Sequence, residues 1–328
     1  MPAGPWVRRV TQSARDSWTL RHFALLARAR KPKQPLCVVY GNCQAEPIRT
    51  LLAGSTAFAD AYETVRIPPV HEITVRQLEK LHRLLGMTSL IVAQPIKDGY
   101  RRLPLGINQI RDHAPTGCKI IRFPALHYDA LYPFQVTILL RDWFAVPAPI
   151  TVYHDLRTLC AAARGSTGDS GARWVSGYEP PEPMLRVAAE EARTMMRHRE
   201  SKADIQVLDW ITASPESHAD SFFTISHPSL RVLNRIAESV HEILGLSSPT
   251  NGRSHHEPLG VLRTPLEQPV IDVLGLASAP RPDWTIKGKT TSMDDVVRRQ
   301  LAWYRDHPEV VEAGVSEHAD RIAAFSLL

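Results

Sequence analysis

The first half of the chain alternates short apolar runs with amphipathic stretches. Residues 36–41 (LCVVYG) are apolar and β-branched without polar alternation, the pattern of a strand buried on both faces. Gly41-Asn42 ends that run, and residues 45–52 begin a helix with Pro47 in the first turn, where its missing N–H costs nothing. Residues 62–67 predict a second strand, and 75–85 a helix with Val75, Leu78, Leu81 and Leu85 along one face. A third strand at 89–94, a helix at 105–113 and a fourth strand at 118–123 follow. Strands separated by helices predict a parallel sheet with helices on its faces. The second half reads as mostly helical, at 154–163, 183–197, 204–212, 229–244 and 292–307, with 221–226 as its one strand. Residues 247–291, rich in Pro and Gly, predict irregular connection with one short helix near 270–274. The expected fold class is α/β, a parallel sheet flanked by helices with a large helical second half. Its expected parts are an N-terminal extension at 1–34, an α/β domain at 35–246, and a closing segment at 247–328 whose last helix packs on the core.

At 328 residues with 44% hydrophobic side chains, the chain can bury a sizeable core, which excludes disordered, collagen-like and disulfide-scaffold classes. Lys and Arg outnumber Asp and Glu by five, but the excess is local. Residues 1–34 hold eight basic side chains against Asp16 alone, and the remainder carries two more acids than bases. Nucleic acid is therefore not an expected partner. Within the extension, residues 20–33 (LRHFALLARARKPK) can form a helix with Leu20, Phe23, Leu26 and Ala27 on one face. That helix reads either as an anchor on an anionic membrane or partner, or as a solvated helix beside the core followed by a linker at 31–35. No run approaches the roughly 18 apolar residues that span a bilayer. No secretory signal is evident, so Cys37, Cys43, Cys118 and Cys160 are expected as reduced thiols and the expected address is the cytoplasm.

Ligands of open α/β sheets bind beyond the carboxyl ends of the strands, and this sequence loads those ends with polar residues. Strand one ends in Gly41-Asn42-Cys43-Gln44. Strand three ends in Gln94-Pro95, followed by Lys97, Asp98, Tyr100, Arg101 and Arg102. Strand four ends in Arg122-Phe123-Pro124 with His127 and Tyr128, and the late strand ends in His227-Pro228-Ser229. Cys43 is the sharpest candidate. Between a strand end and a helix N-terminus it meets the positive end of the helix dipole, which is expected to lower its pKa. His227, after a strand and before a helix, is the best-placed partner for a Cys–His pair. The alternative is that Cys43 is a small buried hydrophobe. Cys43 to Arg49-Thr50 also has the Cys-x5-Arg-Thr spacing of cysteine phosphatases, but Pro47 removes a cradle N–H and Glu46 puts a carboxylate where a dianion would bind. No metal-ligand spacing, dinucleotide glycine motif, Walker loop or nucleophile-elbow serine is present, and no metal is expected.

Gly41-Asn42-Cys43-Gln44, Gln94-Pro95-Ile96, Phe123-Pro124 with Tyr128 and Pro133, and Phe223-Thr224 before His227-Pro228-Ser229 resemble the WcbI family over roughly residues 36–246. These bacterial polysaccharide-biosynthesis proteins are similar to coenzyme-A-dependent acetyltransferases, with a core like that of the SGNH hydrolases. The resemblance implies Cys43 as nucleophile with Gln44 in the same block, His227 as general base, and Asn42 and Gln94 as donors to an oxyanion. Thr224 stands where the SGNH hydrolases carry Asp, so a third member would come from elsewhere, with Asp209 the candidate. The Gly-x-Asn-Asp block of those hydrolases is absent. Lys97, Arg101 and Arg102 form a basic cluster suited to the phosphates of coenzyme A or a carrier-bound phosphopantetheine, with Arg122 and Tyr128 as further contacts; a solvated loop is the competing reading. The implied activity is transfer of an acyl group, acetyl by preference, from coenzyme A or a carrier-bound thioester to a hydroxyl or amine of a sugar or small metabolite. An acyl carrier protein is then a candidate partner. An esterase or thioesterase on the same residues, and a non-catalytic protein binding coenzyme A or a metabolite, are the rival readings.

Overall fold

The computed structural model describes Phe23 and residues 32–140, 144–247 and 256–328. Apart from Phe23 and residues 32–33, the basic helix expected at 20–33 lies outside them. The chain forms two compact units that interleave along the sequence. The first takes Met1–Ala125, Lys202–Ile205 and Asn234–Arg253; the second takes Leu126–Ser201, Gln206–Leu233 and Ser254–Leu328.

The first unit is built on a four-stranded, all-parallel sheet. Its strands β1 (Leu36–Tyr40), β2 (Glu63–Thr64), β3 (Thr88–Ala93) and β4 (Lys119–Arg122) lie in the order β2-β1-β3-β4. Every residue of β1 is buried, as its unbroken apolar run requires. Helix α1 (Ala45–Gly54) turns Ala45, Ile48 and Leu52 inward. The helix Val75–Leu85 buries Leu81, Leu84 and Leu85 and starts at a Thr74–Gln77 capping box. Phe23, the one described residue of the extension's apolar face, is buried in this core, and its N–H donates to Arg66 O at 2.9 Å.

Two differences from expectation follow from the sheet. The second strand is paired over only Glu63 and Thr64. Val65 and Ile67 still enter the core, but Pro68-Pro69 carries the chain into a turn at Val70–Glu72. The helix expected at 204–212 is confined to Leu208–Ile211, because Asp204 and Ile205 run alongside the edge of β4 and donate both N–H groups to Arg122 O, at 2.8 and 3.2 Å. That segment covers a strand edge that would otherwise be open.

The second unit is largely helical. Helices Leu156–Ala163, Gly168–Ser176 and Met293–Arg305 share an apolar cluster of Ala161, Ala172, Val175, Val297 and Leu301. Arg157, fully buried, is neutralised by Asp155 at 2.8 Å and Glu267 at 2.7 Å. The region expected to be irregular, 247–291, contains beside its predicted short helix (Gln268–Leu274) a three-stranded antiparallel sheet of Leu262–Arg263, Trp284–Ile286 and Lys289–Thr291. Its strands are two or three residues long, too short to show a period of two. The single strand expected at 221–226 is a tight hairpin instead, Phe222–Thr224 pairing with His227–Pro228. Among the described residues, no helix is long and apolar enough to cross a membrane.

Leu90, fully buried in β3, is contacted from both neighbouring strands through its register partners Cys37 and Lys119. Leu90→Ala is expected to destabilise the first unit by about 3 kcal/mol through lost burial and an unfilled cavity, read as a lowered midpoint in urea denaturation.

Candidate functional site

The turn after β1 is held by one side chain. Gln94, at the end of β3 and 1% exposed, accepts the Asn42 N–H through Oε1 at 2.9 Å and donates through Nε2 to Gln44 Oε1 at 2.8 Å. Its own N–H continues the ladder to Tyr40 O at 2.9 Å. Asn42 Oδ1 accepts the Gln44 N–H at 2.9 Å, closing the turn upon itself. A Cβ at Gly41 would lie 2.7 Å from Gln94 Oε1, so only glycine lets that amide reach in. Asn42, Cys43, Gln44 and Gln94, all singled out in the sequence, are thereby brought together at the carboxyl edge of the sheet. The nitrogen of the Asn42 amide donates to nothing else among the described residues, and that side chain is half-buried.

Cys43 is half-buried between β1 and α1, the position its flanks predict. Its expected low pKa is not found. Burial raises the thiol above its ordinary value, a backbone hydrogen bond offsets only part of this, and the nearby Glu72 carboxylate raises it further. The desolvation of a thiolate outweighs the partial charge of the helix end. The phosphatase-like spacing is not realised as a phosphate cradle: Arg49 is held by the Glu46 carboxylate at 2.7 and 2.9 Å and by Thr64 Oγ1 at 2.9 Å.

Two residues that sequence reasoning passed over sit on this rim. His71 and Glu72 lie in the turn after β2, where Val70 donates to Gly41 O at 2.8 Å. Burial and the nearby Arg101 lower the His71 imidazole, while Glu72 opposes them. The rule that polar residues beyond parallel strands face the ligand applied to this strand as well, and would have found them.

Lys97, Arg101 and Arg102 follow Gln94 in a loop pinned from several sides. Gln109 Oε1 accepts from Gly99 and Gly106 at 2.9 and 3.1 Å, Asn108 donates to Asp98 at 3.1 Å, and the Tyr40 hydroxyl donates to Leu105 O at 2.7 Å. Gly106 lies so close to Asp98 that a Cβ there would fall 2.3 Å from its Cα. Arg101 and Arg102 adopt left-handed φ angles of 53° and 60°, a conformation costing about 1 kcal/mol each for side chains of this kind. Arg122 is engaged by Asp204 at 2.8 Å.

In the second unit, His227 is half-buried in the return strand of its hairpin. Thr224 Oγ1 accepts its N–H at 3.1 Å, and its buried Nδ1 has no hydrogen-bond partner among the described residues. Burial lowers the imidazole below its ordinary range. Asp209, the candidate third member, is exposed and its carboxylate accepts from Arg197 at 2.9 Å. The hairpin is gripped by a second buried glutamine: Gln135 accepts the Ile225 N–H at 2.9 Å and donates to Thr264 Oγ1 at 2.8 Å. Tyr128 is fully buried, its hydroxyl 2.9 Å from His218 Nε2, and burial pushes its pKa up to about 12.

The first unit thus defines an α/β protein presenting a cysteine, amides and a basic loop beyond a parallel sheet. A family model described as Polysaccharide biosynthesis enzyme WcbI matches residues 36–249, and the chain belongs to that family. No curated protein matches it. A solved structure of WcbI, presented as a novel polysaccharide biosynthesis enzyme, matches with a TM-score of 0.73 and 18% identity, over 90% of this chain and 99% of that one. That structure is of the native protein without a disulfide bond between coenzyme A and one of its cysteines. At this identity the likeness shows a shared fold.

Burial lowers His218, 4% exposed, to about 4. With an unfolded-state value near 6.5, the unfolded chain takes up this proton first as pH falls, so stability is complete above about pH 6.5 and declines toward pH 4. His218 alone is expected to account for a loss of about 3 kcal/mol over that interval. Urea denaturation from pH 7 to pH 4 should show a flatter decline for His218→Gln than for wild type.

Proposed function

We propose that the protein is an acyltransferase of polysaccharide or related metabolism. It takes an acyl group, acetyl by preference, from coenzyme A or a carrier-bound phosphopantetheine thioester to a hydroxyl or amine of a sugar or small metabolite. The observation that carries this reading is the half-buried Cys43 on a turn clamped by Gln94 at the ligand-facing edge of a parallel sheet. Membership of a polysaccharide-biosynthesis family supports the substrate class. The matched structure's association of coenzyme A with a cysteine supports the donor.

In this reading Lys97, Arg101 and Arg102 hold the donor's phosphates, cations on the loop that follows Gln94. Cys43 stays a thiol until substrate arrives, since burial raises its pKa. His227, kept neutral by burial, accepts that proton as the sulfur attacks the thioester carbonyl. The Asn42 amide donates to the developing oxyanion. Collapse breaks the bond to the coenzyme A sulfur, which leaves with the proton from the imidazolium, and an acyl-Cys43 remains. The acceptor's hydroxyl or amine then attacks, gives its proton to His227, and releases the free Cys43 thiol as the product departs.

The raised thiol also favours a second reading, a non-catalytic protein that binds coenzyme A or a metabolite and in which Cys43 is structural. Intact-mass measurement after exposure to acetyl-coenzyme A separates the two. An acetyl increment present in wild type and lost in Cys43→Ala is expected; coenzyme A release without an increment indicates direct transfer or hydrolysis. The absence of both an acetyl increment and coenzyme A release contradicts acyl transfer from this donor.

A further inference from the structure

We propose that Tyr153 is the positioning residue for His227, supplying the orientation that a carboxylate gives the histidine of a Ser-His-Asp site. The assignment rests on the reading of His227 as the general base. Among the described residues His227 has no carboxylate orienter: its buried Nδ1 has no hydrogen-bond partner, and the residue three positions before it is Thr224. The side chain packed against the imidazole is Tyr153, edge to face, with ring centroids 5.9 Å apart and planes at 77°. Its hydroxyl lies 2.5 Å from Ser226 Oγ and accepts from Thr224 Oγ1 at 3.3 Å. Thr224 Oγ1 in turn accepts the His227 N–H at 3.1 Å. One tyrosine therefore touches three of the four residues of the hairpin turn, and it holds both the ring plane of His227 and the backbone that carries it.

The chain takes on strain to place this tyrosine. Ile150 and Val152 adopt left-handed φ angles of 74° and 66°. β-Branched side chains are genuine outliers there, so both positions are strained. Val152 is also left 57% exposed. Between them Thr151 is fully buried, and its hydroxyl donates to Tyr153 O at 2.8 Å. The buried Gln300 amide donates to Thr151 Oγ1 at 2.9 Å and to Tyr153 O at 3.3 Å. The strained turn is closed by the paired backbone hydrogen bonds of Ala148 and Val152, both 3.2 Å, and it leads directly into Tyr153. Tyr153, Thr224 and Ser226, the described side chains on this side of the imidazole, carry no charge, and burial is the cause acting on its titration. A tyrosine brings no negative charge to the imidazole as a carboxylate would, so burial keeps His227 an unprotonated base to lower pH.

The test is an NMR titration of His227, assigned with His227→Gln, beside steady-state coenzyme A release from acetyl-coenzyme A. Tyr153→Leu is expected to admit water and raise the His227 pKa by about half a unit or more toward its ordinary value. It should lower kcat about tenfold, with KM within about twofold. Tyr153→Phe keeps the ring and loses the hydroxyl; it should leave the pKa close to wild type and lower kcat about threefold. An unchanged titration and unchanged kcat in a folded Tyr153→Leu overturns the assignment. If that variant does not fold, an unchanged kcat in Tyr153→Phe overturns it. Wild-type turnover in His227→Gln would instead overturn His227 as base, and the titration of the Tyr153 variants would still decide whether Tyr153 orients the ring.

Discussion

The arrangement around Cys43 depends on the buried amide of Gln94. An amide removed from water must find partners or lose about 1–3 kcal/mol for each polar group left unpaired. Gln94 finds them in the turn it faces, through the Asn42 N–H and the Gln44 side chain. The turn cannot rearrange without orphaning that amide, and Gly41 cannot carry a side chain without displacing it. The second unit repeats the device. Gln135, also buried, binds the Ile225 N–H on the hairpin that carries His227 and joins it to Thr264. In each unit a glutamine anchored in the core fixes the backbone of a short turn from beneath.

Burial sets the chemical character of both turns. At Cys43 it raises the thiol, and at His227 it lowers the imidazole, so each group rests in its neutral form. A preformed thiolate–imidazolium pair needs the opposite balance. The proposed chemistry is therefore one in which the proton leaves sulfur only as the thioester is attacked. Such a site protects a cysteine from casual oxidation and alkylation, which act on the thiolate.

The parallel sheet was legible because its three longer strands carry short apolar runs separated by amphipathic stretches, unbroken in β1 and bounded by polar residues in β3 and β4, and the polar residues at their ends marked Cys43 and Gln94. His227 was marked by its place after a strand and before a helix, and the family resemblance gave it the role of general base. What escaped reading had physical causes. The strands of the 262–291 sheet are too short for a period, and the segment at Asp204–Ile205 is extended because β4 offers it an edge, a fact its own residues do not contain. The Cys43 pKa was misjudged because a helix dipole can be read from sequence, whereas depth of burial cannot. Tyr153 was invisible for a similar reason. It lies 74 positions before His227, in a turn whose β-branched residues, Ile150 and Val152, argue against the conformation they adopt.

The central claim is that the Gln94 clamp shapes the Cys43 turn into a coenzyme A site. Calorimetric titration of coenzyme A into wild type and into Gln94→Leu, with the fold of the variant verified by circular dichroism, tests it most directly. The account predicts binding by wild type and an affinity lowered about tenfold or more in the variant, a difference of about 1.4 kcal/mol or greater. Equal affinity in the two proteins, or no binding by wild type, would contradict it.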